Sequence, residues 1–313
     1  RASLDRAIAV DHAAAVQALC ADFDGNIDLI GFHGQTVYHN ASSDMQHPLG
    51  RQTIQLGDAQ YLAAVSAIDV VHNVRQADMD QGGEGAPLAP VYHAAVIDAM
   101  HNLRPAVLVN IGGVANLTCV SAADGTGLIG FDTGPGNALL DDFMMSRFAV
   151  DCDRDGGLAA TGSADQTILA RWLQHPYFQQ TWPKSLDRQD FAGLLTTAEF
   201  RRLAAADAAD AAATLTCFTA QTIAHAIGKL PVTPQSVFVA GGGRRNGTMM
   251  QYLASFLPMP LITDPGDGFD ADMLEAELMA FLAARCHYRL PTSFPGTTGC
   301  RQPVSGGQIA RAR

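Results

Sequence analysis

The stretch LIGFDTGPGNALLDDF (128–143) decides the fold. LIGF is a short apolar run that reads as a buried strand. Asp132 stands at its carboxyl end, and Thr133, Gly134, Pro135 and Gly136 then turn the chain into a helix predicted over 137–148. Open α/β sheets bind ligands at the carboxyl ends of their strands. A carboxylate placed there serves as a general base or meets a metal ion. The plain alternative is a tight turn in which Asp132 merely caps the helix.

Working outward, AVLVNIGG (106–113) reads as a buried strand that delivers Gly112 and Gly113 to a turn. LTCV (117–120) and LIGFDTG (128–134) complete a β-meander. SVFVAGGG (236–243) is a further strand running into Gly241, Gly242 and Gly243. Bare backbone of this kind lets a planar base or a ribose lie close, with Asn246 able to hydrogen-bond it. Alternatively, Asn246 is the N-cap of the helix predicted over 248–257. The glycines do not form G-x-G-x-x-G, which argues against a dinucleotide fold. Three glycine turns, each after a buried strand, point to several loops closing on one phosphate-bearing ligand.

The remaining pattern is α/β. Helices are predicted over 5–22, 58–67, 91–102, 197–227 and 270–286, and strands over 27–33 and 52–57. Gly and Pro leave 78–90 and the tail 291–308 without regular structure, and 151–193 reads as irregular. The composition shifts at Pro105. The first domain is therefore expected over 1–104, rejoined by 287–313, and the second over 105–286.

Other polar groups sit at suggestive places. HGQT (33–36) brings His33 and Gln35 to a strand end, with donors and acceptors suited to a sugar. The glycine-rich segment 74–90 carries Arg75, Asp78 and Glu84, and Arg75 is able to take a carboxylate in bidentate fashion. A solvated ion pair is the simpler reading of that loop. Glu275 and Glu277, two apart on an apolar helix, point to different faces, so one tends toward the core.

The chain has 313 residues, Lys+Arg 20 and Asp+Glu 31, for a net charge of −11. That surface repels phosphate backbones and anionic lipid, so neither nucleic acid nor membrane is an expected partner. No run of ~18 apolar residues occurs to span a bilayer. Six cysteines lie scattered without C-x-x-C spacing, which suggests free thiols in a reducing cytosol rather than disulfides or zinc. No G-x-S-x-G elbow is present. The chain opens on Arg1 without a signal-peptide pattern and is expected to be a segment of a longer protein.

Taken together, these segments resemble the anhydro-N-acetylmuramic acid kinase family. The resemblance runs from about residue 27 onward and is carried by IGFHGQTVYH (30–39), RQADMDQGGEGAPLAPVYH (75–93), VNIGGVANLT (109–118), GFDTGPGNALLDD (130–142), PYFQQTWPKS (176–185), VAGGGRRN (239–246) and DMLEAELMAF (272–281). It implies a fold like that of sugar kinases and actin, with two ribonuclease-H-like domains clasping ATP in an interdomain cleft. It also implies a cytoplasmic homodimer that uses ATP and Mg²⁺ to convert 1,6-anhydro-N-acetylmuramic acid and water to N-acetylmuramic acid 6-phosphate in peptidoglycan recycling.

By that resemblance Asp132 activates the attacking water. Gly112, Gly113 and Gly134 lie near the phosphates, and Gly241, Gly242, Gly243 and Asn246 frame the adenosine. His33, Gln35, Arg75, Asp78 and Glu275 face the sugar. Family members open with a glycine-rich hairpin around the ATP phosphates, and no such segment occurs here. The first strands of the N-terminal domain are therefore expected to be missing. Asn73-Val74 stand where the family has Asp-Phe, and Leu186-Asp187 where it has Thr-Gly. A non-catalytic or degenerate sugar- or nucleotide-binding member is the second reading. An unrelated nicotinamide-dependent oxidoreductase is a third, but the glycine spacing is wrong for it.

Overall fold

The computed structural model describes residues 2–41, 49–100, 104–122, 127–264 and 273–312. The chain divides into two compact units, residues 1–92 with 273–313, and residues 93–272.

The first unit opens with α1 (Ala2–Ala21), whose Ala9 and Ala13, one helical turn apart, are buried. β1 (Leu29–Gly31) follows. β2 (Gln35–Asn40) and β3 (Gln52–Leu56) pair antiparallel with a bulge between Thr36 and Tyr38. α2 (Ala59–Ser66) starts where Asp58 Oδ1 accepts from the Tyr61 amide at 2.9 Å, and ends on Ala67 in the left-handed region. β4 (Asp69–His72) then pairs parallel to β1. Val70 and Val71 at the centre of β4 are fully buried, and the β-branched pair explains a strand that alternation did not reveal. A short helix, α3 (Gln76–Asp80), occupies the start of the segment predicted as irregular. α4 (Pro90–Met100) begins in this unit and continues into the next.

The second unit carries a five-stranded mixed sheet. β5 (Ala106–Ile111), β6 (Val114–Val120) and β7 (Leu128–Pro135) form the predicted antiparallel meander. α5 (Ala138–Phe148) leaves the end of β7. α6 (Gln166–Trp172) is a helix inside the segment read as irregular, started by Asp165 Oδ1 accepting from Thr167 and Ile168 amides. The long helix predicted over 197–227 is two helices, α7 (Ala198–Ala206) and α8 (Ala208–Gly228). Asp207 breaks it by turning extended and capping α8 through the amides of Ala209 and Asp210. β8 (Ser236–Ala240), α9 (Gly247–Phe256) and β9 (Leu261–Ile262) complete the unit, with the strands ordered β7-β6-β5-β8-β9. β5, β8 and β9 run parallel.

α8 is buried all round from Ala211 to Ala220 because it is covered on both sides. Ala220, Ile223 and Ile227 pack on Val107, Leu117 and Val237 of the sheet. Leu215 and Phe218 pack on Trp172, Phe178 and Phe191.

The chain re-enters the first unit as α10 (Leu274–His287), α11 (Pro295–Thr298) and β10 (Gln308–Ala310), which pairs antiparallel to β4. The division thus falls at 92/93 and 272/273, where the sequence reading set it at 104/105 and 286/287. α10 goes with the first unit because its backbone lies directly on β1. A Cβ added to Gly31 would stand 2.2 Å from the Met279 carbonyl oxygen. Residues 101–102 and 270–272, at the ends of two predicted helices, lie outside the described residues.

Candidate functional site

Asp132 is not a helix cap. It sits within β7 opposite Asn116, while Asn137 occupies the N-cap of α5. Its carboxylate accepts a hydrogen bond from the Leu186 amide at 2.8 Å, and its own amide donates to the Lys184 carbonyl at 3.1 Å. The Tyr177 hydroxyl donates to its carbonyl at 2.6 Å. The segment 177–186 is therefore laced onto one residue of the strand. Lys184 is 9% exposed; its ammonium donates to the Tyr177 carbonyl at 3.1 Å and lies 4.2 Å from that ring's centroid. Burial, with Lys229 second, brings the Lys184 amine down to about 8, while the Asp132 carboxylate pulls it up.

The glycines around β7 divide into two kinds. A Cβ on Gly134 would press on Thr222 and Phe178 at 2.9–3.2 Å, and one on Gly136 would stand 2.2 Å from the Gly112 carbonyl. A Cβ on Gly241, at φ +78°, would meet Asn110 and Ile111, and one on Gly243 would meet Ile111. Those four are set by close packing. Gly134 is accordingly buried against α8 rather than presented to a ligand. Gly112, Gly113 and Gly242 are different. Nothing stands nearer than 3.6 Å to the place of their missing side chains, and none has positive φ. Their bareness serves neither packing nor a strained turn, so it leaves room for a ligand to approach the backbone.

Gly242 lines a cavity of about 400 Å³ together with Asn137, Asp141, Asp155, Arg245 and Asn246. Asn246 also caps α9, accepting from the Met249 amide at 2.9 Å, which bears out the N-cap reading. The Gly112 and Gly113 carbonyls accept from the amides of Asn137, Gly136 and Ala138. The β5–β6 turn thereby fixes the start of α5 beside this cavity.

In the first unit, His33 Nε2 accepts from Arg75 Nε at 3.0 Å and lies 2.9 Å from Nη2, while Nδ1 lies 2.8 Å from the Gly34 carbonyl. That pattern needs the proton on Nδ1. Burial, and next the Arg75 charge, lower the His33 pKa and keep the ring neutral. Arg75 also donates to the Gly85 carbonyl at 2.9 Å. Its guanidinium thus holds His33 and the glycine loop in place. His33 stands between a cavity of about 270 Å³, lined by Gln55, His72, Asn73 and Gln76, and one of about 240 Å³, lined by Arg75, Leu88 and Met279.

Asp78 lines neither cavity. It is 1% exposed; its carboxylate accepts from the Gly85 amide at 2.7 Å, from Thr298 Oγ1 at 2.7 Å and from Ser293 Oγ. It pins the glycine loop to the tail, which departs from a sugar-side role. Gln35 is exposed on β2 and also lines neither cavity. The glutamine facing inward is Gln55 on β3, which the sequence reading did not single out. Glu275 is exposed. Its neighbour Glu277 is the partly buried one, paired with the Tyr92 hydroxyl, whose pKa burial and that carboxylate raise.

The family model for anhydro-N-acetylmuramic acid kinase matches residues 1–312. A relative of that name from Rhodopseudomonas palustris (strain HaA2) is 46% identical over 99% of this chain and 81% of its own length. Others from Bradyrhizobium diazoefficiens and Mesorhizobium japonicum are 45% and 41% identical, over 81% and 80% of their lengths. The chain belongs to the anhydro-N-acetylmuramic acid kinase family.

A solved activator of the 2-hydroxyisocaproyl-CoA dehydratase from Clostridium difficile, with bound ADPNP, aligns over 63% of this chain and 67% of its own at 16% identity. Its TM-score is 0.41, too distant a likeness to bear on the site. Two departures from the family pattern have simple structural accounts. Leu186 holds Asp132 through its backbone amide, which any non-proline residue supplies. Asn73 lies at φ +52°, a left-handed position that asparagine tolerates better than most residues.

Proposed function

We propose that this chain carries out the reaction its family is named for, using ATP to phosphorylate 1,6-anhydro-N-acetylmuramic acid with opening of the anhydro bridge. Water adds to C1, the C1–O6 bond breaks, O6 takes the γ-phosphoryl group, and ADP leaves. The proton lost by water goes to Asp132. One carboxylate base serves both events, because O6 becomes a better nucleophile as its bond to C1 weakens. The observation that carries this reading is the placement of Asp132, its carboxylate held by the Leu186 amide and its backbone by Lys184 and Tyr177, on the strand next to the Gly112–Gly113 turn.

Gly112 and Gly113 would meet the phosphates, and Gly242 with Asn246 the adenosine. Among the described residues no three His, Cys, Asp or Glu side chains gather into a metal cage. Mg²⁺ would arrive on the phosphates as part of the nucleotide substrate, a common mode for this ion. In the first unit, His33 and the Gln55, Asn73 and Gln76 amides offer donors and acceptors to the sugar. Glu275, by the family resemblance, belongs to the sugar side as well.

Each unit is read as a ribonuclease-H-like lobe, which the meander extended by parallel β8 and β9 supports for the second. No helix among the described residues is long and apolar enough to cross a membrane, and all six cysteines are free. A cytoplasmic homodimer without nucleic-acid or membrane partners remains part of the same proposal. Incubation with ATP, Mg²⁺ and the anhydro sugar tests it. N-acetylmuramic acid 6-phosphate and ADP are the expected products. Binding of both substrates without product would favour the non-catalytic reading.

A further inference from the structure

Asp141 has no part in the chemistry just described, yet it lines the cavity that holds Gly242 and Asn246. Two of its acidic neighbours are engaged, and Asp155, which lines the same cavity, is exposed to solvent. Asp142 pairs with Arg188 at 2.8 Å, and Asp153 accepts from the Leu158 and Ala159 amides. The Asp141 carboxylate accepts no hydrogen bond from the described residues. Burial lifts its pKa to about 6; Arg188 pulls it down, and Asp142 and Asp151 push it up. A half-buried carboxylate without donors is costly, and a ligand that brings donors would relieve the cost.

The chemistry of that ligand is narrow. A carboxylate repels phosphate, so Asp141 belongs at the nucleoside end. At the base, the ring nitrogens of adenine repel it and the exocyclic amine is the one donor group on offer. A vicinal diol, in contrast, brings two O–H donors spaced for the two carboxylate oxygens. We propose that Asp141 is the residue that selects ribonucleotides, its carboxylate accepting hydrogen bonds from the 2′- and 3′-hydroxyls of the bound ribose. This rests on the reading that the cavity takes the nucleoside end of ATP.

The test is calorimetric titration of ATP, 2′-deoxy-ATP, 3′-deoxy-ATP and ITP into the wild-type chain, Asp141→Ala and Asp141→Asn. The wild type should prefer ATP to 2′-deoxy-ATP by roughly 10- to 100-fold, the size of a hydrogen bond to a charged group. Asp141→Ala should lose that preference, with ATP binding weakened to the level of the deoxynucleotide. Asp141→Asn, which has the same shape and keeps one acceptor, should retain part of it and decides the matter if the alanine variant does not fold. An ATP to deoxy-ATP ratio unchanged by either substitution overturns the proposal, as does a wild type that binds the two equally. A variant that alters only the ATP to ITP ratio overturns it too, by assigning Asp141 to the base. A wild type that binds none of the nucleotides overturns this proposal and the ATP-dependent reading together. ATP binding with an unaltered ratio overturns this one alone.

Discussion

The Leu186 amide donates to the Asp132 carboxylate across 54 positions of sequence, at 2.8 Å. A base must be held still to act on one proton, and here a backbone group does the holding. The side chain at 186 is thereby released from the task, which is why leucine serves where relatives of this family carry threonine.

Asp132→Asn should keep that hydrogen bond and lose the base. Turnover should fall by about 10²–10⁴-fold with ATP affinity little changed. Steady-state ADP release beside a nucleotide titration measures both. Near-wild-type turnover would remove Asp132 from the role assigned to it.

Asp78→Ala leaves the Gly85 amide and the Ser293 and Thr298 hydroxyls without their acceptor in a buried place. The expected loss is about 2–4 kcal/mol of stability. Urea denaturation reads it directly. A variant of unaltered stability with a raised sugar KM would instead return Asp78 to the substrate.

His93 is fully buried, its Nδ1 2.7 Å from Thr118 Oγ1, and burial lowers its pKa to about 4. The unfolded chain binds this proton first, near 6.5. The stability His93 contributes is therefore present above pH 6.5 and is lost as pH falls toward 4. Between pH 7 and pH 5 the loss should be about 2 kcal/mol. His33, His39, His72 and His225 are lowered too and act in the same direction. Chemical denaturation at the two pH values should show His93→Gln flattening the slope; an equal slope in the variant would place the acid sensitivity elsewhere.

Gly136→Ala and Gly112→Ala should separate packing from ligand approach. The first forces a Cβ to within 2.2 Å of the Gly112 carbonyl and should cost at least about 1–3 kcal/mol. The second meets nothing closer than 3.6 Å and should leave the melting temperature alone while weakening ATP binding. If Gly112→Ala binds ATP as the wild type does, the β5–β6 turn is not where the phosphates lie.

Much of this was legible in order. The meander, the helix after Asp132 and the strand before Gly241 follow from runs of apolar residues ended by glycine, a local signal. β4 escaped because a four-residue strand shows too little period to read. α6 escaped because aromatic and turn residues around it mask a two-turn helix. The break at Asp207 hides in an alanine-rich run, where the capping carboxylate is the single sign.

The amino-acid sequence by itself determined the α/β class, a carboxylate on the strand that feeds α5 and the family, because each is written in contiguous residues; the strand runs on to Pro135, so Asp132 lies within it rather than at its end. Only the tertiary structure decided which groups face a ligand. Asp78 turned inward because Ser293, Thr298 and Gly85, brought from the far end of the chain and the next loop, supply donors that a buried carboxylate must have. Gly112 stayed bare while Gly134 was filled in by Thr222 and Phe178, a difference set by neighbours that no spacing in the chain announces.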